Sequence, residues 1–307
     1  MTMRRVVLLY NPQAGRGEAT RSRRIATLAA RLREHGCEVQ AVATTSPGSA
    51  IEQTRALCSS NPPEIVFACG GDGTAHEVLQ GLAFCERTAL GIIPLGSANV
   101  LAKHLRLPRD PITAALEQLA RAPRRVHAGR VTCTTAKGSA SRYFLVVAGA
   151  GPDGALVYRA LAHGKRRFGG LHYALRSAWL FCTAHFSAFQ LTANGTTQPV
   201  ISAMAVRVHD LGSIYTPLIR GAHHDDETLL LSVVRAPAKP ALVAWFALGW
   251  VRLHRLNRWA ALQRATHATC SAGLTAPVRV EADGESLGTT PMTLEVVPDA
   301  VWLLPPQ

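Results

Sequence analysis

Short apolar segments and amphipathic stretches alternate over residues 1–125. Strands that alternate with helices along a chain form a parallel sheet covered by helices. Each predicted strand ends in a loop of small and polar residues, and in an open parallel sheet such loops gather at the carboxyl edge, where ligands bind. The predicted strands are Val6–Tyr10, Glu38–Ala43, Glu64–Cys69 and Leu90–Pro94, and the predicted helices are Thr20–Glu34, Ala50–Cys58, Thr74–Ala83 and Ile112–Arg121.

After residue 125 the pattern changes to β-branched runs separated by turn residues. Asn194-Gly195 stands between two such runs, and this dipeptide is the strongest short signal for a hairpin. We therefore predict a second, mainly antiparallel β domain over residues 126–297. Its predicted strands are Val126–Thr132, Tyr143–Ala148, Phe189–Ala193, Ile201–Val208, Thr228–Val234, Val278–Glu281 and Met292–Val297, with helices near 155–163, 171–185 and 240–262.

Composition limits the classes of protein to which the chain can belong. A hydrophobic fraction of 48% with 17% charged residues excludes a disordered chain. The balance of 33 Lys and Arg against 20 Asp and Glu gives a net charge of +13, which favours anionic partners. Seven scattered cysteines without a C-x-x-C pair predict neither a disulfide framework nor a structural zinc site.

A glycine-rich loop, Gly70-Gly71-Asp72-Gly73-Thr74, follows a predicted strand and opens a predicted helix. Glycines let backbone N–H groups approach a phosphate, and a helix N-terminus carries partial positive charge. Asp72 would repel an anion unless a magnesium ion lay between them, so we interpret it as metal-linked or phosphate-positioning. Thr74-x-x-Glu77 also fits a helix capping box, and for Glu77 both interpretations stay open.

Two common nucleotide-binding motifs are excluded. The chain has no G-x-x-x-x-G-K-[ST] sequence, so it has no P-loop of that kind. Gly149–Gly154 fits G-x-G-x-x-G, but no acidic residue occurs between Asp153 and Asp210 to bind a ribose. We interpret this match as a glycine-rich turn.

Two acidic clusters lie in the second half. On an extended backbone, Asp283 and Glu285 would point the same way about 7 Å apart, and two like charges at that distance would make one carboxylate a general base. A solvated hairpin turn is the alternative that these residues alone favour. Around Asp226, carboxylate and carbonyl oxygens would suit magnesium, with a polar loop as the alternative.

Taken together, these motifs resemble the soluble diacylglycerol-kinase-like lipid kinases, a family that includes bacterial lipid kinases and sphingosine kinases. The resemblance covers nearly the whole chain. It rests on Asn11-Pro12-x-x-Gly15, the Gly70 to Glu77 motif, the segment Gly91 to Asn99 and the late Asp283-Gly284-Glu285, in the family's order. The implied first domain is an open parallel α/β sheet of the phosphofructokinase and NAD-kinase type, which the C-terminal strand 298–307 can complete. The implied second domain is a mainly antiparallel β-sandwich.

The resemblance implies a set of site residues. Asp283, assisted by Glu285, would activate a lipid hydroxyl. A magnesium ion would bind the Asp226 carboxylate with the carbonyls of His223 and Thr228. ATP would bind through Asn11, Pro12, Gln13, Ala14, Gly15, Thr44, Gly70, Gly71, Asp72, Gly73, Thr74, Glu77 and Ser97.

The chain departs from the family pattern at three positions that belong to the family's structural magnesium network. The family's Asp is replaced by Val100 after the Gly96-to-Asn99 segment and by His127 in its Val-Asp-x-Gly segment. Its usual Asp-Gly is Asp226-Glu227 here.

We therefore expect an ATP-dependent kinase that phosphorylates a diacylglycerol-like lipid hydroxyl, with ATP and Mg²⁺, in the cytoplasm and peripheral to the inner membrane face. The apolar stretch Ala241–Val251 is shorter than the roughly 20 residues that span a bilayer. With the basic residues and Trp259 that follow, it fits either an interfacial helix or a helix packed on the second domain.

The alternatives are a soluble NAD-kinase-like phosphotransferase and a basic nucleic-acid-binding module. Asn11-Pro12 and the late Asp-Gly-Glu disfavour the first. No RNP, helix-turn-helix or zinc-finger pattern supports the second, so we expect no nucleic-acid partner. The resemblance also allows a homodimer.

Overall fold

The computed structural model of the 307-residue chain describes residues 4–12, 18–152, 187–209, 211, 221–235 and 259–306. The chain separates into two compact units. The first consists of Met1–Ala128 and Pro298–Gln307, and the second consists of Gly129–Val297.

A parallel sheet forms the centre of the first unit. Its strands are β1 (Arg4–Tyr10), β2 (Cys37–Ala43), β3 (Ile65–Gly70) and β4 (Ala89–Pro94), in the order β2-β1-β3-β4. Trp302 and Leu303 continue the sheet beyond β4 in parallel. Strand β3 is entirely buried and β1 is buried over Val6–Leu9, as continuous apolar runs require in a sheet covered on both faces.

Helices of this unit follow the strands in sequence. They are α1 (Glu18–Glu34), α2 (Ser49–Ser60), α3 (Asp72–Leu82), α4 (Val100–His104) and α5 (Pro111–Leu119). Helix α1 places Ile25, Leu28 and Leu32 in one buried cluster with Phe67 of β3. The side chain of Gln118, buried in α5, bonds both the N–H and the carbonyl oxygen of Ile92 in β4, each at 2.8 Å. These two bonds pair backbone polar groups that no described strand pairs on that side of β4.

The second unit is rich in antiparallel strands. Strand β5 begins in the first unit and ends in the second, and β14 passes in the opposite direction. The strands are β5 (Arg124–Thr135), β6 (Gly138–Phe144), β7 (Val147–Ala150), β8 (Phe189–Ala193), β9 (Thr196–Val206), β10 (Leu229–Arg235), β11 (Ala260–Ala265), β12 (His267–Cys270), β13 (Arg279–Ala282) and β14 (Glu285–Leu303).

Two long strands organise this unit because they change partners along their length. Strand β9 pairs with β8 and then with β7, and β14 pairs with β13 and then with β12. Because β7 pairs with β13 and β8 with β12, the pairings form a closed circuit. Its interior side chains include Phe144, Phe189, Leu231 and Leu294, all fully buried.

Two sequence-based predictions have a clear outcome here. The Asn194-Gly195 hairpin is confirmed, because both residues have positive φ and Ala193 pairs with Thr196. The helix predicted up to residue 262 is wrong at its end, because Ala260–Ala265 is strand β11, paired with β10.

The helices predicted at 155–163 and 171–185, and the apolar stretch Ala241–Val251, lie outside the described residues. Gly149 lies in β7, which ends at Ala150, while Asp153 and Gly154 also lie outside them. Among the helices that the structure describes, none combines the length and the apolar character that crossing a bilayer requires.

Candidate functional site

Four loops of the first unit lie at the carboxyl edge of its parallel sheet. Hydrogen bonds join them just beyond the strands. The Thr44 N–H donates to the Tyr10 carbonyl oxygen at 2.8 Å, and the Leu95 N–H donates to the Gly70 carbonyl oxygen at 2.9 Å. The candidate nucleotide residues brought to this edge are Asn11, Pro12, Thr44, Gly70, Gly71, Asp72, Gly73, Thr74 and Ser97.

These residues differ in how much of their surface is accessible. Asn11, Pro12 and Thr44 are partly buried, whereas Ser97 is exposed. The remaining members of the predicted phosphate loop, Gln13–Gly15, lie outside the described residues.

Glycines bring the loops after β3 and β4 into backbone contact. A Cβ built on Gly96 would lie 2.5 Å from the Cα of Gly71, a distance that real Cβ atoms do not adopt. A Cβ built on Gly71 would meet the Gly96 Cα at 3.4 Å, an ordinary contact. Asn99 closes the second loop, because its amide side chain bonds both the N–H and the carbonyl oxygen of Gly96. A side chain is therefore excluded at Gly96 but has room at Gly71.

Asp72 holds the start of a helix. Its Oδ1 accepts from the N–H groups of Val100 and Leu101, at 2.8 and 3.4 Å, which open α4. A carboxylate at a helix N-terminus satisfies free amides and complements the helix dipole. The aspartate therefore links the loop after β3 to the element after β4, a contact that the metal or phosphate interpretation did not include.

Glu77 also links two segments. Its Oε1 accepts from the N–H of Gly48 at 3.0 Å, directly before α2. The capping-box alternative is wrong, because α3 begins at Asp72 with Gly71 as its N-cap residue, so Thr74 already lies inside the helix. Thr74 packs against Gly70, where an added Cβ would lie 2.2 Å from the Thr74 Oγ1. The motif from Gly70 to Glu77 thus fixes the geometry of the loops around it.

The turn between β13 and β14 consists of Asp283 and Gly284, with φ values of 47° and 85°. Ala282 pairs with Glu285 across it. The prediction of an extended backbone through Asp283 and Glu285 is therefore wrong, because two left-handed residues reverse the chain. The hairpin alternative is correct, but Asp283 within the turn is buried, since it is only 7% exposed.

The Asp283 carboxylate binds a distant stretch of backbone. Its Oδ1 accepts from the N–H groups of Val146 and Val147, at 3.0 and 2.9 Å, and its Oδ2 accepts from Leu145 at 3.1 Å. These donors occupy three of the roughly four lone-pair positions of a carboxylate. Asp283 therefore anchors the hairpin to the start of β7.

Glu285, the first residue of β14, has a different environment. Its side chain is partly exposed. Within the described ranges no hydrogen bond or ion pair engages its carboxylate. Of the two acids, Glu285 is therefore the one with room to accept a proton from a substrate.

The loop over residues 221–228 contains the oxygens implied for magnesium. The Asp226 Oδ2 lies 2.9 Å from the Nη1 of Arg264, and the Thr228 carbonyl oxygen accepts from Arg207 at 2.8 Å. Burial raises the pKa of the Asp226 carboxyl, but the His223 amide and the Arg264 guanidinium outweigh this effect. The pKa is therefore lower than usual. No three or more His, Cys, Asp or Glu side chains in the part of the chain that the structure describes are grouped to hold a metal.

The sequence-based reasoning missed Arg207 and Arg264, which lie outside this loop and bind its oxygen atoms. A signal for Arg207 was present, because it interrupts the apolar run from Ile201 to Val208. A charged residue in a buried strand needs internal partners. Arg264 lay just beyond the segment predicted as a helix near 240–262, so its pairing with the loop had no local signal.

Comparison with known proteins shows what the first half of the chain is similar to. Residues 5–131 match the model of the diacylglycerol kinase catalytic domain. The diacylglycerol kinase of Bacillus subtilis (strain 168) is 31% identical over 176 residues, which are 57% of this chain and 54% of that protein. The chain thus spans about half the length of the curated relatives it matches.

Solved structures share the fold. A diacylglycerol kinase from Bacillus anthracis str. Sterne matches with a TM-score of 0.67 at 20% identity, covering 100% of this chain and 98% of that one. An NAD kinase from Archaeoglobus fulgidus in complex with ATP matches with a TM-score of 0.52 at 14% identity, covering 98% and 93%. The catalytic-domain match and these relatives confirm the resemblance drawn from the motifs: residues 5–131 are similar to the diacylglycerol kinase catalytic domain.

Proposed function

We propose that the chain is an ATP-dependent lipid kinase that transfers the γ-phosphate of ATP to the hydroxyl of a diacylglycerol-like lipid. The observation that carries the proposal is the diacylglycerol kinase catalytic-domain match over residues 5–131. The sheet edge described above lies within that match. Two further observations support it: the similar protein of Bacillus subtilis is a diacylglycerol kinase, and a protein with the same fold has been solved in complex with ATP.

The first unit binds the nucleotide in this proposal. The backbone around Gly71–Thr74 opens α3, so its N–H groups and the helix dipole suit phosphate oxygens. Asp72 and Glu77 support this surface by fixing the neighbouring loops. Phosphoryl transfer from ATP uses its magnesium complex, so magnesium enters with the nucleotide.

Glu285 of the second unit acts as the general base. The lipid hydroxyl oxygen attacks the γ-phosphorus, the bond from that phosphorus to the β–γ bridging oxygen breaks, and ADP leaves. The hydroxyl proton passes to the Glu285 carboxylate. This assignment reverses the expectation that Asp283 is the base, because three amides already bind the Asp283 carboxylate.

A diacylglycerol-like substrate resides in a bilayer, so the kinase acts at the inner membrane face. The net charge of +13 supports attraction to anionic lipid. Sedimentation with phosphatidylglycerol vesicles should exceed sedimentation with phosphatidylcholine vesicles and fall as salt rises. Equal binding to both would contradict an electrostatic contribution.

A transfer assay tests the proposed activity. The purified full chain is incubated with γ-labelled ATP and magnesium, in parallel with vesicles containing diacylglycerol, with diacylglycerol-free vesicles and with NAD. Label should appear only in the phosphorylated lipid. Label only in NADP would make the chain an NAD kinase, and label in no acceptor would contradict the proposal.

A further inference from the structure

The loop over residues 221–228 can be tested for the magnesium ion that the family resemblance implies. Magnesium takes six oxygen ligands in a nearly octahedral arrangement at about 2.0–2.1 Å. The protein oxygens implied here are the Asp226 carboxylate and the carbonyls of His223 and Thr228. A ligand oxygen must direct a lone pair at the metal, so hydrogen-bond donors on these atoms compete with it.

A buried arginine binds the carbonyls of this loop. Arg207 is fully buried, and its Nη1 donates to the carbonyl oxygens of Asp226 and Thr228 at 2.9 and 2.8 Å. Its Nη2 donates to the carbonyl oxygen of His224 at 2.8 Å. One guanidinium therefore gathers three carbonyl oxygens of the loop.

A second arginine binds the carboxylate. The Nη1 of Arg264 lies 2.9 Å from the Asp226 Oδ2, and its Nη2 donates to the carbonyl oxygen of Gly221 at 2.8 Å. The N–H of His223 donates to the same Oδ2 at 2.9 Å, and the His223 carbonyl oxygen accepts from the Asp226 N–H at 3.1 Å. Donors therefore engage all three oxygen positions of the implied site.

The positive charges of Arg207 and Arg264 also disfavour a magnesium ion at this site. An arginine guanidinium stays protonated in proteins at neutral pH, so both groups carry a positive charge. Arg207 and Arg264 together supply the two positive charges that a divalent ion would supply. A magnesium ion among them would be repelled by both guanidinium groups.

We propose that Arg207 and Arg264 replace the family's structural magnesium ion and hold the 221–228 loop together without a metal. The Asp226 carboxylate is then an ion-pair partner of arginine. The inference goes beyond the proposed kinase activity and does not depend on it, because the loop's stability can be measured directly.

Thermal unfolding of the full chain in EDTA and in millimolar MgCl₂ provides the first test. We expect any effect of magnesium to be the same in the wild-type chain and in Asp226→Asn. A rise in the wild-type melting temperature with magnesium that Asp226→Asn abolishes would overturn the proposal. Metal analysis of the dialysed protein should find no tightly held magnesium, and one ion per chain that Asp226→Asn removes would also overturn it.

Variants of the two arginines provide the second test. Arg207→Met should lower the melting temperature by at least about 6 °C, because three carbonyl oxygens lose their donor and the Asp226 carboxylate loses a nearby positive charge. Arg264→Gln, which changes a partly exposed residue, should lower it by about 4 °C. The matched control Arg130→Gln removes a partly exposed ion pair with Glu295 and should lower it by about 1 °C or less.

If Arg207→Met does not fold, Arg264→Gln decides the question. A melting temperature of Arg264→Gln equal to that of Arg130→Gln would show that Arg264 does not hold the loop, and would overturn the proposal. A fall that magnesium restores would overturn it too, because the metal would then compete for the same oxygens.

Discussion

The candidate functional residues are held in position by different kinds of contact in the two units. In the first, backbone atoms at the ends of parallel strands form the surface, and glycines such as Gly71 and Gly96 permit it. In the second, single charged side chains reach distant backbone: Asp283 takes three amides and Arg207 takes three carbonyls. An acid in a recognisable sequence motif can therefore be an anchor for distant backbone.

The largest change in stability should come from the anchor of the second unit. Asp283→Asn replaces one acceptor oxygen by an NH₂ group, which leaves at least one buried amide of residues 145–147 without an acceptor. The free energy of unfolding should fall by about 3 kcal/mol. Urea denaturation measures it.

Asp299→Asn is the matched control for this change. Asp299 has the same φ of 47° but a largely exposed side chain, 3.7 Å from His127. Because asparagine tolerates the left-handed conformation, the loss should stay below about 1 kcal/mol. Equal losses in the two variants would show that the three amide contacts do not stabilise the hairpin.

In the first unit, the loop contact between Gly71 and Gly96 should be the sensitive point. Gly96→Ala should lower the free energy of unfolding by about 1–3 kcal/mol and weaken ATP binding at least about tenfold, because the added methyl forces the two loops apart. Thermal denaturation and calorimetric titration with ATP measure both effects.

Gly71→Ala sharpens that prediction. Its methyl group has room, so stability should stay near that of the wild type, while ATP binding should weaken if the nucleotide uses this backbone surface. Unchanged ATP affinity in both variants would remove these loops from the nucleotide site.

The smallest effect should come from a helix cap away from the candidate residues. The Asp110 carboxylate accepts from the N–H and the hydroxyl of Thr113, and these bonds lower the pKa of Asp110. Asp110→Ala should cost about 1 kcal/mol at neutral pH.

The pH dependence of this loss follows from the direction of the shift. A depressed folded-state pKa stabilises the fold above the unfolded pKa, near 3.9, and this stabilisation is lost as the pH falls through the folded value. The difference in melting temperature between wild type and Asp110→Ala should thus shrink below about pH 4. A difference that is constant with pH would show that the charge contributes nothing.

The first unit was largely predictable because its signals are local. Strand β3 runs over Ile65–Gly70, against a predicted Glu64–Cys69, since a continuous apolar run before glycines has few other interpretations. Helix α4 was missed because five residues carry no periodicity. The glycine motif located the loops but could not show that Asp72 and Glu77 hold neighbouring segments.

The second unit was less predictable because its key contacts are distant in sequence. Asp283 lies 136–138 residues from the amides it binds, and no local pattern encodes such a pair. Its position in a hairpin turn was considered, but its burial was not. The pattern at residues 260–262 suggested a helix, whereas pairing with β10 makes a strand there.

The central claim is that the first unit binds ATP and Glu285 of the second accepts the proton. Single-turnover transfer from γ-labelled ATP to diacylglycerol tests it in the wild type, in Glu285→Gln and in the control Glu295→Gln, which changes an acid of the same strand. We predict that Glu285→Gln binds ATP as the wild type does but transfers about 10²–10⁴-fold more slowly, while Glu295→Gln transfers normally. Transfer by Glu285→Gln at the wild-type rate would contradict the account.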